Sequence, residues 1–426
     1  MMDRIAGRFG RVEPRRTVRA FVLGLLSDVE NKSCWGLAEQ TGYARPDPLQ
    51  RLLRTACWDA EAIRDDVRDL VVEHLGHPDA VLVPDETGDL KKGVHTVGIQ
   101  RQYTGTAGRI ENAQVAVFLA YASPRGRALI DRRLYLPVSW TDDQVRCAAA
   151  GVPAEIRFAT KPQLAGDMID AALDGGVAVG WVAADEVYGN DPAFRARLRS
   201  RGLGYVLAVS CDHRVPIDGG TIRVRADRLA ADLPASGWQR MSAGAGSKGP
   251  RWYDWAWLDL TLTGGEPGHT LLIRRHPGTG ELAFYRCWSP RPVPLAALVR
   301  VAGVRWMVEE TFQAGKGQVG LDQHQLRQWI GWHRFTVLAM LALAFLAACA
   351  ASTAPPTSVD PYRYARADNG PIRLTVNEIR RLFTHLVNTT ILTIEHRLRW
   401  SLWRRKHQAR ARHCHYNRRR TAELGT

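Results

Sequence analysis

The chain reads as an α/β protein built on a mixed sheet, with a β-rich insertion and helical regions at both ends. Three observations predict this. Residues 80–84 and 114–122 are solid apolar runs of strand length, and residues 128–136 alternate. From residue 143 to residue 210 the pattern runs helix, helix, strand, helix, strand. Residues 212–292 then lose the helical period and alternate in short pieces joined by Gly-rich loops.

The elements follow in order. RRTVRAFVLGLLSDVE places Val18, Phe21, Val22, Leu25 and Leu26 on one helical face. Ser33 is placed to cap a short helix running to Gln40, and Thr41-Gly42 breaks it. A further helix carries Leu49, Leu52 and Leu53. Asp59 starts another with Ile63, Val67, Leu70 and Val71. The arrangement around Gly42 resembles a helix-turn-helix, and an ordinary helical bundle fits it equally well. Strands are expected at 80–84, 114–122, 128–136, 177–184 and 204–210, with helices at 143–150, 162–174 and 192–201. LLIRR-HPGTG-ELAFYRCW reads as a hairpin. A helix begins near Pro294, and residues 374–409 are helical again. The expected regions are 1–76, helical; 77–211 and 293–351, the two parts of the core; 212–292, the insertion; and 352–426, a basic helical end.

Composition narrows the partners. The 426 residues carry 58 Lys plus Arg against 43 Asp plus Glu, a net charge of +15. Ten of those basic residues and two Glu fall in 395–426, so the last stretch alone carries +8. Six Arg lie in the first twenty residues. Basic ends interleaved with Trp, His and Tyr point to a polyanion. Of the seven cysteines none forms a C-x-x-C pair, so neither a zinc ribbon nor a disulfide framework is signalled. Arg4, Arg8 and Arg11 interrupt any signal-peptide pattern. The 15-residue apolar run at 337–351 is short of a membrane span and reads as a core helix. A reduced, cytoplasmic setting with no membrane partner is expected.

Two hydrophobic runs end on acids: VLVPDETGD at 81–89 and GWVAADEVYG at 180–189. A third acid lies in RWMVEETFQAGKGQVGLD at 305–322. Carboxylates at strand ends are held rigidly, which a site for hard divalent cations needs. Each acid also has a plainer reading. Asp85, Glu86 or Asp89 could serve a turn, Asp185 could cap the next helix, and Glu309 or its neighbour Glu310 could be a surface acid. On a helix, Arg305, Glu309, Phe312 and Lys316 share one face. There the cations could contact phosphate, or Arg305 and Glu309 could form a simple i,i+4 pair.

These segments resemble the DDE transposases of bacterial insertion sequences, which have a ribonuclease-H-like catalytic domain. The resemblance runs from about residue 15 to residue 345. It rests on VLVPDETGDLKKG with GIQRQYTGTAGRIENAQVAVFLAYAS, on AADEVYGND, and on RWMVEETFQAGKGQVGLDQHQLRQWIGWHR. It implies that Asp85, Asp185 and Glu309 are the catalytic and metal-binding triad on a mixed five-stranded sheet. It also implies that the insertion before the third acid is a β-domain. A subgroup carries a Tyr–Arg–Glu–Lys signature. Arg305, Glu309 and Lys316 match its spacing, while Ala302 stands at the Tyr position. That spacing selects Glu309 over Glu310.

The implied chemistry uses two Mg²⁺ ions, for which Mn²⁺ can substitute, to cut double-stranded DNA at terminal inverted repeats and join it to target DNA. The helical region 1–76 is expected to bind DNA, and further expected contacts are Arg305 and Lys316 around the third acid, Lys91, Lys92, Arg101 and Arg109 beside the first, His333 and Arg334 after the third, and Arg404, Arg405 and Lys406 in the basic end. His324 and Trp288 have both DNA-contacting and packing readings. Bringing two ends together implies a homodimer or a DNA-assembled oligomer. A DNA-binding repressor and a nuclease of the same fold are the rival readings.

Overall fold

The computed structural model describes residues 1–217, 221–246, 249–260, 268–353, 373–388 and 392–424. The N-terminal region comprises α1 (Met2–Ala6), α2 (Val12–Leu25), α3 (Cys34–Gln40), α4 (Asp47–Arg54) and α5 (Ala60–Leu75). The expected caps are in place. Ser33 Oγ accepts from Gly36 N, and Asp59 Oδ1 accepts from Glu61 N at 2.8 Å. Each satisfies an amide at a helix start that the helix cannot. Gly42 turns the chain between α3 and α4 at φ 83°, a left-handed value that favours glycine. The apolar faces read from the sequence are buried, including Phe21, Leu52 and Val67.

The sheet begins with β1 (Val81–Leu90), β2 (Gln100–Thr104), β3 (Arg109–Ser123) and β4 (Gly126–Leu134). Then come α6 (Val138–Thr141), α7 (Gln144–Ala149) and α8 (Lys161–Asp174), the last started by a capping box of Thr160 and Gln163. β5 (Trp181–Ala184), α9 (Glu186–Gly189), α10 (Pro192–Ser200) and β6 (Gly204–Val209) complete this part. β3 pairs antiparallel with β1, β2 and β4, whereas β1–β5 and β5–β6 are parallel. This is the mixed α/β order expected from the sequence.

The stretch read as an insertion holds β7 (Arg214–Ile217), β8 (Ile222–Arg225), α11 (Ala226–Ala231), β9 (Gln239–Gly246), β10 (Gly249–Asp259), β11 (His269–Arg275) and β12 (Leu282–Trp288). β7 and β8 form a separate ribbon. The other four strands do not stand apart. β12 pairs antiparallel with β6, Cys287 opposite Val206, and extends one ten-stranded sheet in the order β2-β3-β1-β5-β6-β12-β11-β10-β9, with β4 on β3. Without that pairing β6 would present an open edge of unpaired backbone groups.

α12 (Leu295–Val319) crosses β1, β5, β6 and β9. α13 (Trp329–Ser352) packs on α5, β4 and α12. It is long and apolar enough to cross a membrane, yet Val337 through Ala342 are all 0% exposed inside the molecule. α14 (Val376–Leu386) and α15 (Ile394–Leu424) follow. All seven cysteines are free.

Candidate metal centre

The strand at 80–84 does not stop before Asp85. β1 continues through Asp85 to Leu90, paired to β3 with Asp85 opposite Phe118. β5 stops at Ala184. The parallel register sets Val81 against Trp181 and Leu82 against Val182, and the same offset puts Asp85 level with Asp185. Asp185 is the N-cap of α9, where its Oδ1 accepts from Val187 N at 3.0 Å. The helix-cap reading of Asp185 is thus met, and a carboxylate oxygen of the same residue lies within 4.8 Å of oxygens of Asp85 and Glu86. Gly189 lets α9 sit close on β6, because a Cβ there would stand 1.8 Å from the Ala208 carbonyl.

Glu86 joins the two aspartates. Oxygens of Asp85, Glu86 and Asp185 lie within 4.8 Å of one another, each residue half-buried. Two neighbours hold Glu86: Tyr188 Oη donates at 2.8 Å and Lys161 Nζ at 2.5 Å. Burial, then the charges of Asp185 and Glu86, push the Asp85 carboxyl up to about 7. Burial and Glu86 also raise Asp185, and Arg305 opposes the shift at both aspartates. Ligand oxygens at ~2.1 Å from one Mg²⁺ stand roughly 3–4 Å apart. A small contraction would therefore fit a hard divalent cation, and the donor set suits one.

Glu309, which the resemblance implies as the third acid, is not among the three that meet. Glu309 is 54% exposed on α12 and accepts from Arg305 Nη2 at 3.2 Å, the i,i+4 pair of the plainer reading. The cluster already crowds three acids, and Arg305 one turn away satisfies the fourth. Glu310 is paired with Arg127 of β4. Phe312 fixes α12 to β3 through an edge contact with Phe118, ring centroids 5.7 Å apart. Lys316 reaches Thr106 in the loop after β2, at 3.4 Å.

The expected DNA contacts divide. Lys92 and Arg101 are exposed, and so is Arg109, which is paired with Glu111 at 2.8 Å. Lys91 is a correction. Its Nζ donates to the carbonyls of His324 at 2.8 Å and Asp322 at 3.5 Å, so it pins the loop after α12 to β1 and is not available to a groove. Asp89 is taken in the same way, 3.2 Å from the buried His324. His333 is also corrected: its Nδ1 lies 3.0 Å from the Trp329 carbonyl, and burial lowers it to about 3. Trp288 stacks on Tyr205 at 6.2 Å, the packing role. Arg404 pairs with Glu39 of α3, while Arg405 and Lys406 are exposed.

Arg334 is the last correction. It is 4% exposed and donates to the carbonyls of Leu52 at 3.3 Å and Trp58 at 2.9 Å, with its guanidinium 4.8 Å from the Trp58 ring centroid. It ties α13 to the N-terminal helices. Arg334→Ala is expected to destabilise the protein by about 2–3 kcal/mol through lost charge-assisted bonds and a stranded carbonyl. A melting curve checks this; unchanged melting with weakened DNA binding would restore the phosphate role.

Sequence reasoning missed Lys161 and Tyr188. Tyr188 lies inside the DEVYG segment, but nothing in the sequence ties Lys161 to an acid 75 residues away.

A probable transposase for insertion sequence element IS701 from Microchaete diplosiphon is 30% identical over 196 residues, 46% of this chain and 49% of that protein. The chain thus spans about half the length of that curated relative. A cryo-EM structure of a piggyBac transposase synaptic complex with hairpin DNA aligns over 93% of this chain and 77% of that one, at TM-score 0.45 and 10% identity, a likeness too low for structural inference. The family model of DDE superfamily endonucleases matches residues 4–228, more than half of the 426. The chain belongs to the DDE superfamily of endonucleases.

Proposed function

We propose that this protein is an insertion-sequence transposase that cuts double-stranded DNA at the element's terminal inverted repeats and joins the 3′-hydroxyl ends to target DNA. The observation that carries the reading is the meeting of Asp85, within β1, and Asp185, just past the end of the parallel strand β5, beside Glu86. The run β4–β3–β1–β5–β6, antiparallel then parallel, supports a ribonuclease-H-like core. The DDE family and the IS701 relative support DNA as substrate.

Asp85 and Asp185 would hold two divalent ions, Mg²⁺ or Mn²⁺, with Glu309 as third acid. When bound, such ions lower the pKa of a water and offset charge on the phosphate oxygens. The rest of the work falls to this chain. Tyr188 and Lys161 fix Glu86 and hence the spacing of the aspartates. Arg305, whose charge already reaches both aspartates, would meet the scissile phosphate, and Lys316, Lys92 and Arg101 would steady the flanking backbone. No protein nucleophile is needed, so catalysis rests on positioning and charge. The site acts in a bacterial cytoplasm at the nucleoid, as a homodimer or an assembly formed on DNA, because two ends must be held together.

The test is incubation of the purified chain with end-labelled duplex carrying the DNA that flanks the gene, with Mg²⁺, with Mn²⁺ and with EDTA. Joined products in either metal, and none in EDTA, are expected. Cut products without joining would indicate a nuclease, and no products a regulator; either outcome overturns the proposal.

A further inference from the structure

The basic residues of α15 and those after the α3–α4 turn face one trough. Arg45 and Gln50 border a groove of about 640 Å³ together with Arg51 and Arg54. The same two residues border an adjoining groove of about 710 Å³, whose far wall is Arg399, Lys406 and Arg410 of α15. Asp47 is the acid in both linings. Arg45, Arg51, Arg54, Lys406 and Arg410 are exposed, and none makes an ion pair among the described residues. Among the described residues Arg399 is paired with Glu395 on its own helix, at 2.8 Å.

α15 is seated here by specific contacts. Trp400 is fully buried, and its Nε1 donates to the Tyr43 carbonyl at 2.8 Å. Trp403 meets Trp35 edge-on at 4.7 Å, and His407 stacks on Trp403 at 5.3 Å. His396 Nε2 lies 2.9 Å from the Glu39 carbonyl, and Arg404 pairs with the Glu39 side chain. Trp400, Trp403 and His407 form one stripe at helical spacing. Arg399, Lys406 and Arg410, seven and four residues apart, form the stripe beside it. One stripe docks the helix, and the other is left facing Arg45 across the trough.

We propose that α4 and α15 together form a clamp for the sugar-phosphate backbone of duplex DNA, so that the C-terminal helix is one wall of the N-terminal DNA-contacting unit. Two facing rows of cations, all but Arg399 without an ion pair among the described residues, around a single acid give the charge complementarity that a phosphate backbone requires. The proposal rests on the reading that this protein acts on DNA, but not on the cleavage chemistry.

The experiment uses the intact chain in EDTA and a fluorescein-labelled random-sequence duplex of about 30 base pairs, read by anisotropy across roughly 50–200 mM salt. Lys406→Ala with Arg410→Ala is expected to weaken binding roughly tenfold and to flatten the slope of log affinity against log salt by about 1.8, since each lost phosphate contact removes ~0.9. Arg45→Ala with Arg51→Ala is expected to match it, and Trp403→Ala to weaken binding with every cation retained. Arg223→Ala, exposed on β8, leaves affinity and slope unchanged. Melting curves of both charge pairs are expected to coincide with wild type, because these side chains make no ion pair among the described residues. Wild-type affinity and slope in both pairs, or a loss equal to that of Arg223→Ala, overturns the clamp. Because no divalent ion is present, the clamp and the proposed chemistry can fail separately: binding that responds as expected in a protein that never cleaves sinks only the chemistry.

Discussion

Asp85→Asn is expected to abolish DNA cleavage while making the metal-free protein more stable. The activity loss should reach roughly three orders of magnitude, because a ligand to a catalytic metal supplies several kcal/mol of transition-state stabilisation and ~1.4 kcal/mol is tenfold in rate. The stability gain follows from the charge crowding. The folded carboxyl titrates at about 7 against an ordinary 3.8. Between those pH values the native state keeps a proton that the unfolded chain has released. Stability is therefore full below about pH 4, falls as pH climbs towards about 7, and stays reduced above it. The amide carries no charge and escapes that loss. Discounting for solvent around a half-buried group, the gain at pH 8 should be on the order of 2 kcal/mol. Melting curves in EDTA at acid and alkaline pH read it. Added Mg²⁺ should raise wild-type melting at pH 8 and leave the amide variant unmoved. A variant that melts like wild type at pH 8, or still cuts DNA, removes Asp85 from the site. A group that costs stability and is indispensable to activity has the profile expected of a functional charge.

The parts of this molecule that were legible in its sequence are those set by local rules. Ser33 and Asp59 cap helices where their side chains predict, and the apolar runs at 114–122 and 204–210 lie in strands. That Asp85 and Asp185 each follow an apolar run was legible; the parallel register that sets them level was not. What escaped was decided by partners distant in sequence. β1 runs past Asp85 because β3 supplies a partner for its polar second half. β12 joins the main sheet because β6 needs an edge partner, which a local hairpin pattern does not encode. His333 and Arg334 look like surface residues ahead of an apolar helix, yet that helix is buried on several sides and takes both with it. Lys161 contacts Glu86 only because α8 lies on β1.

That last group of contacts frames the question of the third acid, which is answered by a paired substitution. Glu309→Gln is expected to cut cleavage by roughly two to three orders of magnitude with almost no change in melting, since an exposed i,i+4 pair is worth only about 0.3–0.5 kcal/mol. The smallness of that pair supports the proposed role of Glu309 as third acid despite its exposed position. It sits one turn from Arg305, whose charge reaches both aspartates, and so weak a tie yields readily to a divalent ion. Glu86 is held differently. Two donors, Tyr188 and Lys161, occupy its oxygens, which suits a residue that sets spacing. Glu86→Gln removes one negative charge from the cluster and weakens the Lys161 contact, so its cleavage should fall only about tenfold, with the acid midpoint of the melting profile displaced as Asp85 loses a like-charged neighbour. The two variants should therefore separate: Glu309→Gln in rate alone, Glu86→Gln mainly in titration. If instead Glu309→Gln cuts at the wild-type rate and Glu86→Gln does not cut at all, the third acid is Glu86, the metal centre lies wholly on β1 and the end of β5, and α12 contributes only its cations.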